Sequence, residues 1–470
     1  MKYLTKLILV LFISATFLHP VYRVNPALAF SVGEEREVGE QLLTMVRRGF
    51  NLLDEPDIIQ YINKLGQETL AVAGSQYFDY HFFVINNKEL NAFAAPSGLI
   101  FFHSGLIESL DSEGELVGVM AHEIGHVVSR HLAGRISKNA KISAASMLGL
   151  LLGIALGGGP LTEAVIAGSA AAGQSAALSF SRMDEEESDR LAFKWMQEQN
   201  RDPSAMVDML HELHTMNRYR MGYVPPYLLT HPGPGVRMGY IQDLIMFSEK
   251  KPYETVDEFP FRRFKSRILS MTKEPMQLVF YYQNLLISMP PDSEAAAMAH
   301  YVLSQAYLAA ADYGNAEQSL RKTMVFFPDK PVLKADMGVI YLKSGRFNEA
   351  RDLFQKTIRA ERNNSYAAFH LAHAFEKTGK LQKAIELYEE LLVVMPDYSK
   401  LYYHLANVKA KSDRQAEGFY YYGYYYWYEG DLMSAKHHFS KSVVLLPQES
   451  RKKADAENML RKIAKFGKEK

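Results

Sequence analysis

The sequence predicts a mainly α-helical protein in two parts: an N-terminal α+β domain with a small β-sheet, then a C-terminal α-solenoid. Three observations carry this. His122-Glu123-Ile124-Gly125-His126 lies in a stretch with helical composition on both flanks. Short aromatic and β-branched runs precede it. The second half repeats itself with a fixed period.

A chain of 470 residues exceeds one ordinary domain, so two or more are expected. Hydrophobic residues make up 48% and charged residues 23%, the composition of a folded chain. Lys+Arg and Asp+Glu both number 53, so there is no basic excess of the kind a nucleic-acid partner needs, and no nucleic acid is expected. The absence of cysteine removes disulfides, thiolate metal ligands and thiol nucleophiles. Any metal must be held by His, Asp or Glu.

Residues 1–29 read as an export signal. Lys2 and Lys6 form a basic start, and Leu7 to Leu18 is an apolar run too short to span a bilayer comfortably. Ala27-Leu28-Ala29 fits small-x-small cleavage, so the mature chain is expected to start near Phe30. An uncleaved anchor is the alternative. No cysteine follows, so a lipoprotein anchor is excluded.

Helices are expected from Glu34 and again after Pro56. Phe78 to Ile85 reads as a strand, Asn86-Asn87 as a turn, and Asn91–Ala94 and Gly98–Phe102 as two further strands around Pro96-Ser97-Gly98. The helix with the two histidines follows. Residues 142–180 hold a single charge, Glu163, and are rich in Ala, Gly, Leu and Ser. They suggest a mobile cap or a peripheral membrane contact, with a plain buried helix and a transmembrane hairpin as the alternatives. Residues 184–245 return to helical composition. Pro225-Pro226 and His231-Pro232-Gly233-Pro234-Gly235 mark loops. Residues 250–262 read as a linker.

Beyond the linker, Ala316, Ala350 and Ala384 are spaced by 34 residues, as are Tyr307, Tyr341 and Phe375. Gly345 matches Gly379, and Pro328 matches Pro396. This is the period and pattern of the tetratricopeptide repeat (TPR). A further unit carries Gly423, Tyr426, Gly430, Ala435, Phe439 and Pro447. It lies 51 residues on, so Ser399 to Gln415 reads as one added helix. Residues 263–292 supply leading helices and 451–470 a capping helix. In the unit starting at Ala416, the groove-facing positions are Glu417, Tyr420, Tyr424, Trp427 and Tyr428. They either form a recognition surface or pack against neighbouring helices and the first domain.

The HExxH pattern is that of zinc hydrolases. Histidines four positions apart lie about 40° apart around a helix, so both rings reach one metal. Glu123 can act as general base on an attacking water. The bland alternative is an amphipathic helix with solvated histidines. A catalytic zinc needs a third protein ligand, and the candidates are His131 and the cluster Asp184-Glu185-Glu186-Glu187. His131, five residues beyond His126, is about 140° round the helix and should face away, so it reads as a surface histidine or as one that supports a ligand from outside.

Ser181-Arg182-Met183-Asp184-Glu185-Glu186-Glu187-Ser188-Asp189 resembles the SRxxExxxD segment of the HtpX/CAAX-prenyl-protease family of zinc peptidases. Asn91–Ala94 with Pro96-Ser97-Gly98 resembles that family's edge strand, and His231-Pro232 with Arg237 its HPxxxxR motif. The resemblance covers roughly residues 33–245. It implies a zincin-type metallopeptidase domain over 30–250 holding one zinc ion per chain. His122, His126 and Glu185 would be the ligands and Glu123 the base. Asp189 would orient a ligating histidine from one turn beyond Glu185. The loop bearing His231 and Arg237 would come near the zinc: His231 would plug its open position, or His231 or Arg237 would stabilise an oxyanion, the remaining alternative being a loop histidine merely hydrogen-bonded at the surface.

The export signal and a TPR domain over 263–470 make the chain similar to BepA-like periplasmic metalloproteases. That resemblance implies a periplasmic endopeptidase in outer-membrane protein quality control. Its partners would be unfolded or misassembled envelope proteins and, through the TPR array, the outer-membrane barrel assembly machinery. With no cysteine, the contact between the two parts must be non-covalent. A TPR chaperone or adaptor with a largely silent protease site is the second reading. A membrane-embedded prenyl-protein protease is disfavoured, since no convincing run of transmembrane helices exists.

Overall fold

The computed structural model describes residues 31–138, 153, 180–219, 224–249 and 252–466. The expected export signal and most of the 142–180 segment lie outside these residues. Among the described residues, no helix is long and apolar enough to cross a membrane.

The first part opens with α1 (Val32–Gly49) and α2 (Pro56–Ala73). Ser31 and Glu34 form a reciprocal capping box at the start of α1, and Pro56 occupies the first turn of α2, where its missing N–H costs nothing. Three short strands follow: β1 (His81–Ile85), β2 (Ala92–Ala95) and β3 (Leu99–His103). They form one sheet in the order β1-β3-β2. β1 runs parallel to β3 with His81 opposite Leu99, and β2 runs antiparallel to β3 with Ala92 opposite Phe102.

Side chains alternate between the two faces of this sheet, and both faces are covered. Phe82, Val84, Ile100 and Phe102 join the main core. Ile85, Phe93, Leu99 and Phe101 pack under Val38, Leu42 and Val46 of α1. A sheet buried on both faces explains its nearly unbroken apolar sequence.

After α3 (Ser104–Ser109) comes α4 (Glu113–Val128), capped by Ser112 and packed against β2. α5 (His131–Lys138), α6 (Arg182–Glu198), α7 (Ser204–Tyr219), α8 (Pro226–Thr230) and α9 (Pro234–Phe247) complete this part.

The expected linker is shorter than 250–262. α10 (Phe259–Thr272) begins inside it. Pro260 reads as a loop residue in sequence, but in the first turn of a helix it is a start signal. α10 serves both halves: Phe261, Phe264 and Ile268 enter the first core, and Phe259 enters the core of the repeats.

The array then runs α11 (Pro275–Ser288), α12 (Glu294–Ala309), α13 (Tyr313–Phe326), α14 (Val332–Lys343), α15 (Phe347–Ala360), α16 (Ser365–Lys377) and α17 (Leu381–Val394). It continues through α18 (Ser399–Lys411), α19 (Gln415–Tyr428), α20 (Leu432–Leu445) and α21 (Arg451–Phe466). α18 is the added helix, and α21 closes the end.

Polar contacts join the two parts. Arg263 and Arg267 of α10 hold Asp57 of α2 at 3.0 and 2.8 Å. Lys400 meets Asp54 and Glu55 at 3.2 and 2.7 Å, and His81 meets Asp397 at 2.8 Å. Gln60 donates to the Asn363 carbonyl at 2.6 Å and accepts from the Ser365 N–H at 3.0 Å.

Candidate metal centre

Two helices build the site. α4 carries His122, Glu123 and His126; α6 carries Glu185 and Asp189. Ser181 and Asp184 form a capping box that starts α6 one turn before Glu185. The helices approach closely because Gly125 has no side chain: a Cβ there would come within 3.1 Å of the Ser188 Cα. Val119, Met120 and Ile124 anchor α4 in the core. The polar residues between them are held at fixed positions, and all five are at most 2% exposed.

The imidazoles and the carboxylate converge. His122 Nε2 and His126 Nε2 are 3.0 Å apart. Glu185 Oε2 lies 3.6 Å from His122 Nε2, and its Oε1 lies 3.5 Å from His126 Nε2. His231 joins them from the turn after α8, with Nδ1 3.2 Å from His122 Nε2 and 3.0 Å from Glu185 Oε1. Ligands about 2.0–2.1 Å from a tetrahedral zinc sit about 3.3 Å from one another. The observed separations bracket that edge length. These four residues form a group whose donor atoms all lie within 4.8 Å of one another.

Buried polar atoms point the same way. Among the described residues, neither oxygen of Glu123 has a hydrogen-bond partner, and Nε2 of His231 has none. Buried carboxylate oxygens in such a state call for a cation. Burial pushes His126 well below its ordinary pKa, and its ring is therefore neutral, as a metal ligand must be. The residues present fit a zinc ion.

Around this group lies a second layer of contacts. His122 Nδ1 is 2.7 Å from Asp189 Oδ1, which fixes the tautomer that presents Nε2 inward. Arg237 grips Asp189 through Nε at 2.8 Å and Nη2 at 2.7 Å, and its Nη1 is 2.8 Å from Glu185 Oε2. Burial disfavours the Asp189 anion, but Arg237 and His122 outweigh it and hold the carboxyl well below the usual range. Arg237 therefore braces two carboxylates. That engagement argues against the expected role as an oxyanion donor.

His131 supports a ligand from outside, the second of its two expected places, although it does not face away. It is buried, and its Nδ1 lies 3.0 Å from His126 Nδ1. The helix that should carry it away ends at Val128, and Arg130 adopts a left-handed φ of 51°. The chain turns and brings His131 back against the site. Its other nitrogen, Nε2, lies 3.4 Å from Glu187.

Three residues at the site carry no signal in the sequence reading. Tyr240 donates to Asp189 Oδ2 from one turn beyond Arg237. Tyr227 stacks on His231 with ring centroids 4.4 Å apart. Phe180 lies 3.9 Å from the His126 ring, and its N–H bonds the Thr230 carbonyl. An i, i+3 search from Arg237 along α9 would have found Tyr240.

Residues 57–245 match the model of peptidase family M48, and residues 336–399 match a tetratricopeptide repeat. The chain is similar to curated proteins called beta-barrel assembly-enhancing protease. The Yersinia pestis protein is 32% identical over 54% of this chain and 52% of its own length. The Escherichia coli K12 protein is 34% identical over 51% of this chain and 49% of its own. A Vibrio cholerae protein, named as a putative member, is 28% identical over 72% of this chain and 62% of its own. The chain spans about half the length of the first two.

The groove-facing tyrosines are engaged within the protein. Tyr420 and Tyr424 donate to Asp455 of α21, and Tyr428 lies under the Arg47 guanidinium, 4.6 Å away. Lys462 lies over the Trp427 ring, and Lys452 contacts Glu417. Packing accounts for these five positions.

Proposed function

We propose that the protein is a zinc-dependent endopeptidase that cleaves unfolded or misassembled envelope proteins in the periplasm. The observation that carries this is the near-tetrahedral convergence of His122, His126 and Glu185 beside the unpartnered carboxylate of Glu123.

A bound zinc ion, one per chain, would supply Lewis acidity towards water and the scissile carbonyl. His122, His126 and Glu185 would hold it, Asp189 would keep His122 in the right tautomer, and Arg237 would balance both carboxylates. Glu123 would take the proton of the attacking water and pass it to the leaving amine. β2 is an edge of the sheet and packs against α4, so an extended peptide laid along it would reach the site. Unfolded segments present such a strand and folded ones do not.

The TPR array would supply recognition. A cleft of about 1050 Å³ lies between the two parts, lined by Leu52, His81 and Phe83 on one side and Asn363, Lys400 and Tyr428 on the other. It gives a captured segment a place to dwell. Barrel assembly components are the proposed partners, an expectation supported by the names of the curated relatives and by the leader-like residues 1–29.

One observation favours the second reading, an adaptor with a largely silent site. His231 stands where the fourth ligand of a closed zinc site would be, and its Nε2 faces Glu123 at 3.5 Å. The two readings merge if this is a resting state that opens. Casein digestion with Glu123→Gln as control tests the reading. Metal-dependent cleavage lost in that variant supports it; a metal-loaded, folded protein with no cleavage even after His231→Ala would reject it. Crosslinked capture on Glu123→Gln in cells, followed by mass spectrometry, would identify the substrate class.

A further inference from the structure

We infer that the TPR array holds a second site for a divalent transition-metal ion, formed by His373, Glu376 and His404. Among the described residues, only this set and the centre above bring at least three such side chains within metal-binding reach.

His373 and Glu376 are three residues apart on α16 and therefore share a face. His404 comes from α18, the added helix that follows α17. Their donor atoms all lie within 4.8 Å of one another. His404 Nδ1 is 2.9 Å from Glu376 Oε2, and the two imidazole centroids are 4.9 Å apart. Two ligands of one tetrahedral ion lie about 3.3 Å apart, so the His404–Glu376 pair needs only a small expansion.

The site is held in place by its surroundings. The His404 ring stacks on Tyr388 at 5.3 Å and meets Phe369 edge-on at 5.4 Å, which fixes its orientation. Lys411 holds the other carboxylate oxygen, Glu376 Oε1, at 3.0 Å, and leaves Oε2 facing His404. Tyr388 places its hydroxyl 3.5 Å from Oε2. Glu376 is 8% and His404 17% exposed at the side chain, so a hydrated ion can enter and keep water on a remaining position.

The donor set decides the class of ion. Two imidazoles and a carboxylate suit zinc, nickel, cobalt or copper. Calcium and magnesium prefer all-oxygen surroundings and would be rejected. The ion would clamp α16 to α18, the point where the array departs from its regular period. His373 and Glu376 correspond to Tyr424 and Trp427 by the 51-residue offset, so the clamp sits at groove-lining positions. This inference does not depend on the peptidase reading.

The test uses the full-length protein stripped of metal and titrated with Co²⁺, read by visible absorbance and calorimetry. His373→Gln and His404→Gln are compared with wild type, with far-UV circular dichroism as the folding check. His373→Gln is the safer variant, because it leaves the Tyr388–His404 stack intact. Each should bind one equivalent fewer, or bind it at least tenfold more weakly. Each should still lose a further equivalent when His122→Ala is added. Ca²⁺ should not compete. A folded His373→Gln protein that binds as many equivalents as wild type, with unchanged affinity, would overturn the inference. So would a wild type that binds a single equivalent, lost with His122→Ala.

Discussion

Glu123 is the residue on which the proposed chemistry turns. It is fully buried, with both oxygens free of hydrogen bonds, and it is not among the converging donors. Glu123→Gln keeps its shape and removes its basicity. Cleavage of casein should fall by roughly 10² or more while metal content, read by elemental analysis, stays at the wild-type level. Asp189 acts one contact further out. Asp189→Asn keeps a partner for His122 but removes the charge that faces Arg237. Metal affinity should weaken by about 10- to 100-fold in a competition titration, with folding retained. At this scale the sequence was informative where a motif is local. His122, Glu123 and His126 sit on one helix, and their spacing alone implied convergence. Glu185 came from resemblance, because nothing in the spacing separated it from its acidic neighbours. His131 was not excluded as a support for the ligands, but its inward position was not legible, because the turn at Arg130 leaves no clear trace in composition.

Elements succeed or fail by their ends and their close contacts. The His231 turn joins α8 to α9 and is bounded by Pro232, Gly233 and Pro234, with Gly233 at a left-handed φ of 74°. A plug at His231 would need this turn to swing and the side chain to leave its stack on Tyr227. His231→Ala should raise casein cleavage and self-cleavage severalfold if the side chain plugs the site; a fall in turnover would instead assign it to the transition state. In the array, Gly338 on α14 faces Phe354 on α15, and an added Cβ would lie 2.6 Å from that ring. Gly423 and Phe439 repeat the contact at 2.5 Å. Gly338→Ala should therefore cost about 1–3 kcal/mol in urea unfolding, despite the better helix propensity of alanine. A stabilised variant would refute this packing account. Repeat glycines and alanines were legible because a period exposes them. The start of α10 was not, since proline reads alike in a loop and in a first turn.

For the whole molecule, the question is what locks two halves together without a disulfide. Asp57 is the centre of that lock. It is buried on α2, and it is shared by Arg263 and Arg267 of α10, whose Arg263 also holds Asp336 of the array at 2.6 Å. The network was invisible in sequence, because Asp57 lies 210 positions from Arg267 and Arg263 lies 73 from Asp336, and nothing local marks them. Burial opposes ionisation of Asp57, but the two guanidinium groups prevail and hold its carboxyl far below the usual range. Asp57→Asn would keep an acceptor but remove the negative charge that balances Arg267, whose Nη1 otherwise donates to Gln305 Oε1, and would weaken Arg263. Removing one member of a buried pair costs about 3–5 kcal/mol; since Asp336 still serves Arg263, the expected loss is about 3 kcal/mol. Because the folded pKa is depressed, this contribution is complete above the unfolded carboxylate value of about 3.9 and fades as pH falls below it towards the folded value. Urea midpoints of wild type and Asp57→Asn should therefore stay a constant distance apart from pH 7 to about pH 5 and draw together below about pH 4. A gap independent of pH down to strong acid would mean that Asp57 contributes packing rather than charge. Opening of the two halves without unfolding, seen as a larger radius of gyration at unchanged helicity, would show that the lock holds their orientation rather than their folds.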